Sequence, residues 1–203
     1  MNELSYRTLV WLTYRLAATF AVGLPLVLLV WSAWRQDVMV LRLLTLYWKV
    51  ASLMGISLLL LVDQRPLGYV TATIAPLLMV TSVWFWVDLN EELADQPNWK
   101  ALPLTVRVWR WALSGFSLIS IAMTTTGLSC MQTNQSPNCL IWLEAPKGIN
   151  ILAAKVFNFV FGGQWTEAFA AFLGYAALVA YTVGLLQWLL IRLPRYGRVA
   201  GEF

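Results

Sequence analysis

Five apolar stretches of the chain are long enough to cross a bilayer, four of them without any charge, and more polar segments separate them. The first covers residues 16–34, nineteen uncharged positions between Arg15 and Arg35, enough for about 28 Å of helix at ~1.5 Å per residue. A cleaved signal peptide competes for this segment. Its apolar part would be only ~7–15 residues long, however, and Trp31 and Trp34 stand where small residues would have to mark a cleavage site. Gly23 and Pro25 lie inside the run. Proline removes a backbone donor and opens a carbonyl that neighbouring helices or polar side chains must satisfy, so a kink is predicted there.

The second span, residues 43–62, has Lys49 about two turns inside it. A lysine stem can run along the helix and place its ammonium among the headgroups, the layer that Tyr47 and Trp48 also favour. The third, 67–87, contains Pro76 and ends in Trp84-Phe85-Trp86. The short turn before it makes it an antiparallel hairpin with the second. Residues 88–110 then invert the composition and form the main polar loop. A fourth span is expected at 111–129 and a fifth at 168–191, the latter stopped by Arg192 and Pro194. Between them Ile149, Leu152, Val156 and Val160 recur at helical spacing, which predicts a short interfacial helix over about 147–161, ended by Gly162-Gly163. The pattern describes an all-α integral membrane protein, one membrane domain over residues 1–203 with five transmembrane helices and one interfacial amphipathic helix.

Composition sharpens this. Apolar residues make up 60% of the chain and charged ones 12%, about half of the ~25% usual in soluble domains. That excludes a soluble enzyme and a disordered chain alike. With five spans, the N-terminus, residues 63–66 and 129–167 share one face and carry five Lys and Arg; residues 35–49, 88–110 and the C-terminal tail share the other and carry nine. The positive-inside rule makes the second face cytoplasmic and puts the N-terminus outside, in the lumen or periplasm. Both cysteines, Cys130 and Cys139, fall in one loop on the predicted outer face, with Asn134, Ser136, Pro137 and Asn138 between them. Such a turn-rich segment allows a disulfide where the compartment is oxidising. The alternative is a pair of free thiols.

Candidate chemistry is sparse. There is no histidine, which removes the commonest general base and the commonest ligand for transition metals and haem. Phosphate-binding loops and nucleophile elbows are missing too, and a net charge of +4 spread over loops does not make a nucleic-acid stripe. No span has an ionisable group near its centre, which speaks against a small transporter. The unusual constellation is Asp88, Glu91, Glu92 and Asp95, at steps that put four carboxylates on one face if the third helix continues past the bilayer. These carboxylates either pair with bases on the same face, among them Arg35, Arg42, Lys49, Lys100, Arg107 and Arg110, or dock a partner, or hold Mg²⁺ or Ca²⁺ through oxygen ligands. Most of the 12 Trp, including Trp34, Trp48, Trp84, Trp86 and Trp111, with Trp31, Trp109 and Trp142, sit near span ends and read as membrane-interface anchors. The alternative is that some line a groove for chlorophyll, carotenoid, quinone or lipid. No cofactor is evident.

Leu46-Tyr47-Trp48-Lys49-Val50-Ala51-Ser52-Leu53, then Trp84-Phe85-Trp86-Val87-Asp88-Leu89-Asn90-Glu91-Glu92 with Gln96-Pro97, and later Cys139 with Trp142-Leu143-Glu144-Ala145-Pro146, give the chain a further aspect. Together they resemble a cyanobacterial family of small polytopic membrane proteins of unknown function, over nearly the whole chain. The resemblance brings no catalytic residues. It implies an oxygenic phototroph, a thylakoid or plasma membrane, and a tie to photosynthetic complexes. The expectation is therefore a non-enzymatic protein that acts through contacts with lipids and other integral membrane proteins, as an assembly factor or accessory subunit. Binding or carriage of a pigment, quinone or lipid is the alternative.

Overall fold

The computed structural model describes residues 3–97, 99–132 and 137–200, and among these there is no strand. α1 (Glu3–Leu16), a π-helical segment (Ala17–Gly23) and α2 (Leu24–Arg35) form one continuous rod. There follow α3 (Val38–Val62), α4 (Pro66–Trp84), the short α5 (Val87–Asp95) and α6 (Ala101–Gly127), which a 3₁₀ turn (Leu128–Met131) prolongs. α7 (Pro137–Phe161), α8 (Glu167–Gln187), a π-helical turn (Trp188–Arg192) and α9 (Leu193–Tyr196) complete the chain. Among the described residues five helical stretches are long and apolar enough to cross a membrane: Leu4–Arg35, Val38–Val62, Pro66–Trp84, Ala101–Met131 and Glu167–Arg195.

The helices outrun the uncharged stretches, because charge marks where hydrocarbon ends and not where a helix ends. The first begins at Glu3, not at residue 16, and carries Arg7 and Arg15 on its way in. The second begins at Val38, where the Asp37 side chain caps it by accepting from Val40 N at 3.2 Å. The fourth begins at Ala101, so Arg107 and Arg110, expected in a loop, are helical. The third stops at Trp84, short of residue 87. The predicted interfacial helix is the second half of the longer α7. Its first half is mostly buried and its second half exposed, and Gly162, at φ +65°, closes it where the Gly pair was expected.

α3 is the central rod. It pairs with α4 as the expected hairpin, with α2 on one side and α8 on another. α8 seats at Gly174, where an added Cβ would come within 3.0 Å of the Leu60 side chain; only glycine lets the two helices meet there. The break expected at Pro25 appears as the π-helical widening just before it. The carbonyl that Pro25 leaves without its helical donor is that of Ala21, and it accepts from the Tyr47 hydroxyl of α3 at 2.7 Å. Its neighbour, the Phe20 carbonyl, accepts from the Trp109 indole of α6 at 2.9 Å. Tyr47 and Trp109 are themselves buried and meet edge to face at 5.0 Å, so the cost of a proline inside a span is offset by two aromatic donors from separate helices.

Candidate functional site

The two ends of the bundle are built differently, and the contacts sort the segments as the alternation of five spans requires. At one end α4 stops and α5 begins. Trp86 is extended, at φ −82° and ψ 115°, which interrupts the helical ladder and frees the carbonyls of Val83, Trp84 and Phe85. Each finds a side-chain donor. Arg110 of α6 donates to Val83 O at 2.6 Å, Asn90 Nδ2 donates to Trp84 O at 3.0 Å, and Arg198 Nε donates to Phe85 O at 2.8 Å. The freed amide of Val87 donates to Arg198 O at 3.1 Å, and the Asp88 carboxylate accepts from Ala200 N at 2.9 and 3.0 Å. The C-terminal segment therefore completes the break between α4 and α5.

Arg110 is the pivot. It is only 4% exposed, it also donates to Asn90 Oδ1, and its guanidinium lies 4.1 Å over the Trp84 ring. Trp84 in turn donates to Ser114 Oγ at 3.0 Å and meets the Trp111 ring. Arg107 holds the other end of α5 by donating to the carbonyls of Leu93, Ala94 and Gln96, which are the groups a helix C-terminus leaves open. Two of the bases expected to pair with the acidic quartet, Arg107 and Arg110, thus address backbone carbonyls instead, and a third, Lys100, donates to the Gln96 side chain at 3.2 Å. Carbonyls set free by a helix break and a helix end are fixed acceptors, and the carboxylates point elsewhere.

The quartet does lie along one face, but of a separate helix and not of a prolonged third span. Leu89 and Leu93 turn inward and are buried, Asp88 is half-buried, and Glu91, Glu92 and Asp95 are exposed. Ion pairs among the described residues join Arg7 to Glu144 and Arg65 to Asp63, not this face. No group of three or more His, Cys, Asp or Glu among the described residues is placed to hold a metal ion.

At the opposite end Cys130 and Cys139 form a disulfide, with their Cα atoms 5.6 Å apart. Pro137 and Asn138 belong to α7 rather than to a loop, while Asn134 and Ser136 lie outside the described residues. The bridge ties the end of α6 to the start of α7 inside an apolar cluster with Val10, Leu61 and Tyr69. Side chains address each other here. Trp142 donates to the Tyr6 hydroxyl at 2.8 Å, and that hydroxyl is 3.0 Å from Thr126 Oγ1. Tyr14 donates to the Trp142 carbonyl at 2.8 Å. Glu144 receives Trp11 Nε1 at 2.8 Å and pairs with Arg7 through both oxygens at 3.1 and 3.2 Å. None of these α1 partners was visible in the sequence, because the charge count cut that helix off at residue 16.

The tryptophans divide by burial. Trp34 and Trp111 are 86% and 70% exposed. Trp84 is partly exposed beneath Arg110, and Trp48 is half-buried in the core wall. Trp86, expected as an anchor, is buried against Trp188. Trp109 and Trp142 are buried too and act as hydrogen-bond donors between helices. A position near a span end does not distinguish a ring that faces lipid from one that faces a neighbouring helix.

The family described as "Protein of unknown function (DUF3177)" matches residues 7–201, and the chain belongs to it. No curated protein matches the chain, and no solved structure does.

Proposed function

We propose that this member of the family is a non-enzymatic accessory protein of a membrane complex, and that α5 is the element its partner touches. One observation carries this. The inner side of α5 is fixed by Arg107, Arg110 and Asn90 through backbone contacts, while Glu91, Glu92 and Asp95 face outward. A short helix pinned at both ends presents its charges at low entropic cost, which favours recognition of a basic surface. The partner is an integral membrane protein complex with a basic loop at that level. The resemblance to a cyanobacterial family supports a photosynthetic complex and a thylakoid or plasma membrane. The excess of Lys and Arg at the α5 end supports placing it, with the C-terminus, in the cytoplasm and the disulfide end in the lumen or periplasm.

The test is recovery of the tagged chain from its native membranes in mild detergent, beside the variant Glu91→Gln, Glu92→Gln, Asp95→Asn. The parent chain should bring down a defined membrane complex, and the variant should lose it at equal abundance. Recovery of the same complex by both would end this assignment.

A further inference from the structure

α7 is within the length range of the spans, yet both of its ends lie at one end of the bundle. It starts beside the disulfide that joins Cys139 to the end of α6. Its later turns meet the start of α8: Phe157 lies 5.3 Å from the Trp165 ring and 5.8 Å from Phe169, and Trp165 donates to Asn150 Oδ1 at 2.5 Å. α8 begins at that same end. Gly174 meets Leu60, whose neighbour Leu61 belongs to the disulfide cluster, whereas Tyr181 and Trp188 farther along reach Val50 and Trp86. α7 has 25 residues, about 37 Å of helix at ~1.5 Å per residue. A rod of that length that starts and stops at one level lies across the bundle and does not pass through it.

Its two halves are held differently. Pro146 opens the Trp142 carbonyl, which accepts from the Tyr14 hydroxyl at 2.8 Å, and Trp142 and Leu143 are buried. Beyond Gly148 that support ends. Ile149, Leu152, Val156, Phe159 and Val160 fall on one face at helical spacing and all are exposed, Phe159 to 91%. Lys147, Lys155 and Asn158 fall on the opposite face, interrupted by Ile151, and Asn150 and Phe157, which address Trp165, lie on the arc between the two. From residue 145 to residue 166 the only charges are Lys147 and Lys155.

We infer that the second half of α7 binds the lipid surface of the leaflet at the disulfide end, with the stripe from Ile149 to Val160 among the upper acyl segments and Lys147 and Lys155 toward the headgroup phosphates. Two features support lipid as the occupant. The aromatic contacts of Phe157, Trp165 and Phe169 fix this half beside the first turn of α8, where the fifth span begins and hydrocarbon gives way to headgroups. The helix surface there is continuous with the exposed rings of Phe169 and Phe172 on that span. Charge is complementary as well: a polar face whose charges are lysines alone suits a layer of phosphates, and an apolar face opposite suits the acyl boundary. The inference does not rest on the contact proposed for α5, which is at the other end.

The full chain, its disulfide intact, is reconstituted in vesicles of phosphatidylcholine and phosphatidylglycerol, with a nitroxide on one introduced cysteine at a time. Collision of the label with oxygen, which concentrates in hydrocarbon, is compared with collision with a water-soluble nickel chelate. Leu152→Cys, Val156→Cys and Phe159→Cys should favour oxygen, and Lys155→Cys and Asn158→Cys should favour nickel, so that the ratio oscillates with a period of ~3.6 residues. A second reading places bromine on the upper acyl carbons of the phosphatidylcholine. Bimane on Phe159→Cys should then lose most of its emission, and bimane on the adjacent Asn158→Cys should keep it. Nickel-dominated collision all round the helix overturns the inference, because it describes an arm in water. Low collision with both reagents along the stripe overturns it too, because a second copy or another protein then covers that face. So does bimane at position 159 that bromine leaves bright. The triple substitution on α5 should leave the pattern unaltered, which separates this outcome from any failure of the docking assignment.

Discussion

The disulfide end and the α5 end use similar residues in opposite ways. At the disulfide end the acidic residue is drawn inward: Glu144 accepts from Trp11 and pairs with Arg7, and Trp142 joins Tyr6. At the α5 end Arg107, Arg110 and Arg198 donate to backbone carbonyls, and Glu91, Glu92 and Asp95 remain outside. The difference teaches that charge placement follows backbone geometry. Where helices end in an orderly way, charged side chains are available to each other. Where a helix breaks, the freed carbonyls claim the cations first, and the anions are left as a surface.

That comparison breaks most readily at Arg110. Arg110→Met keeps volume but strands the Val83 carbonyl, and should lower stability by on the order of 3 kcal/mol, read by unfolding in detergent. If α5 were held by its leucines alone, the loss would be far smaller. Removing the disulfide as Cys130→Ser, Cys139→Ser should cost about 2–3 kcal/mol, given the short loop it closes. Protection of α5 amides from hydrogen exchange should stay as it was, because the two ends are separate. Tyr47→Phe, which strands the Ala21 carbonyl, should cost about 1–2 kcal/mol and show as faster exchange near Pro25. Glu144→Gln keeps an acceptor for Trp11 and loses only a pair whose Arg7 partner is 59% exposed, so less than ~1 kcal/mol is expected. Glu91→Gln with Glu92→Gln and Asp95→Asn should change stability by no more than about 0.5 kcal/mol. A marked loss there would mean that the outer face of α5 is structural.

The span count, the hairpin, the sorting of segments between the two ends and the need to cap the carbonyl opened by Pro25 could all be read along the chain, because each follows from uncharged length or from the chemistry of one residue. The limits of α1 and α6 could not, since Arg7, Arg15, Arg107 and Arg110 sit on helices that continue through them. The break at Trp86 was hidden for a different reason. Nothing in Trp84-Phe85-Trp86 forbids a helix; the interruption is stabilised by Arg198 and Ala200, more than a hundred positions away, and local pattern carries no trace of partners that remote. The carboxylate spacing was legible, but which base would meet which acceptor was not, because backbone carbonyls leave no mark in a list of side chains.

The closure of the α4–α5 break by Arg198 and Ala200 has a consequence for biosynthesis. As the polypeptide leaves the ribosome, α3 and α4 can pair early, yet Val87 N and Phe85 O must wait for Arg198, more than a hundred positions later, to emerge. Until then the nascent chain shows an unfinished surface to the insertion machinery and to proteases. Loss of the contacts made by Arg198 and Ala200 would thus be felt as rapid turnover of an otherwise correctly threaded protein.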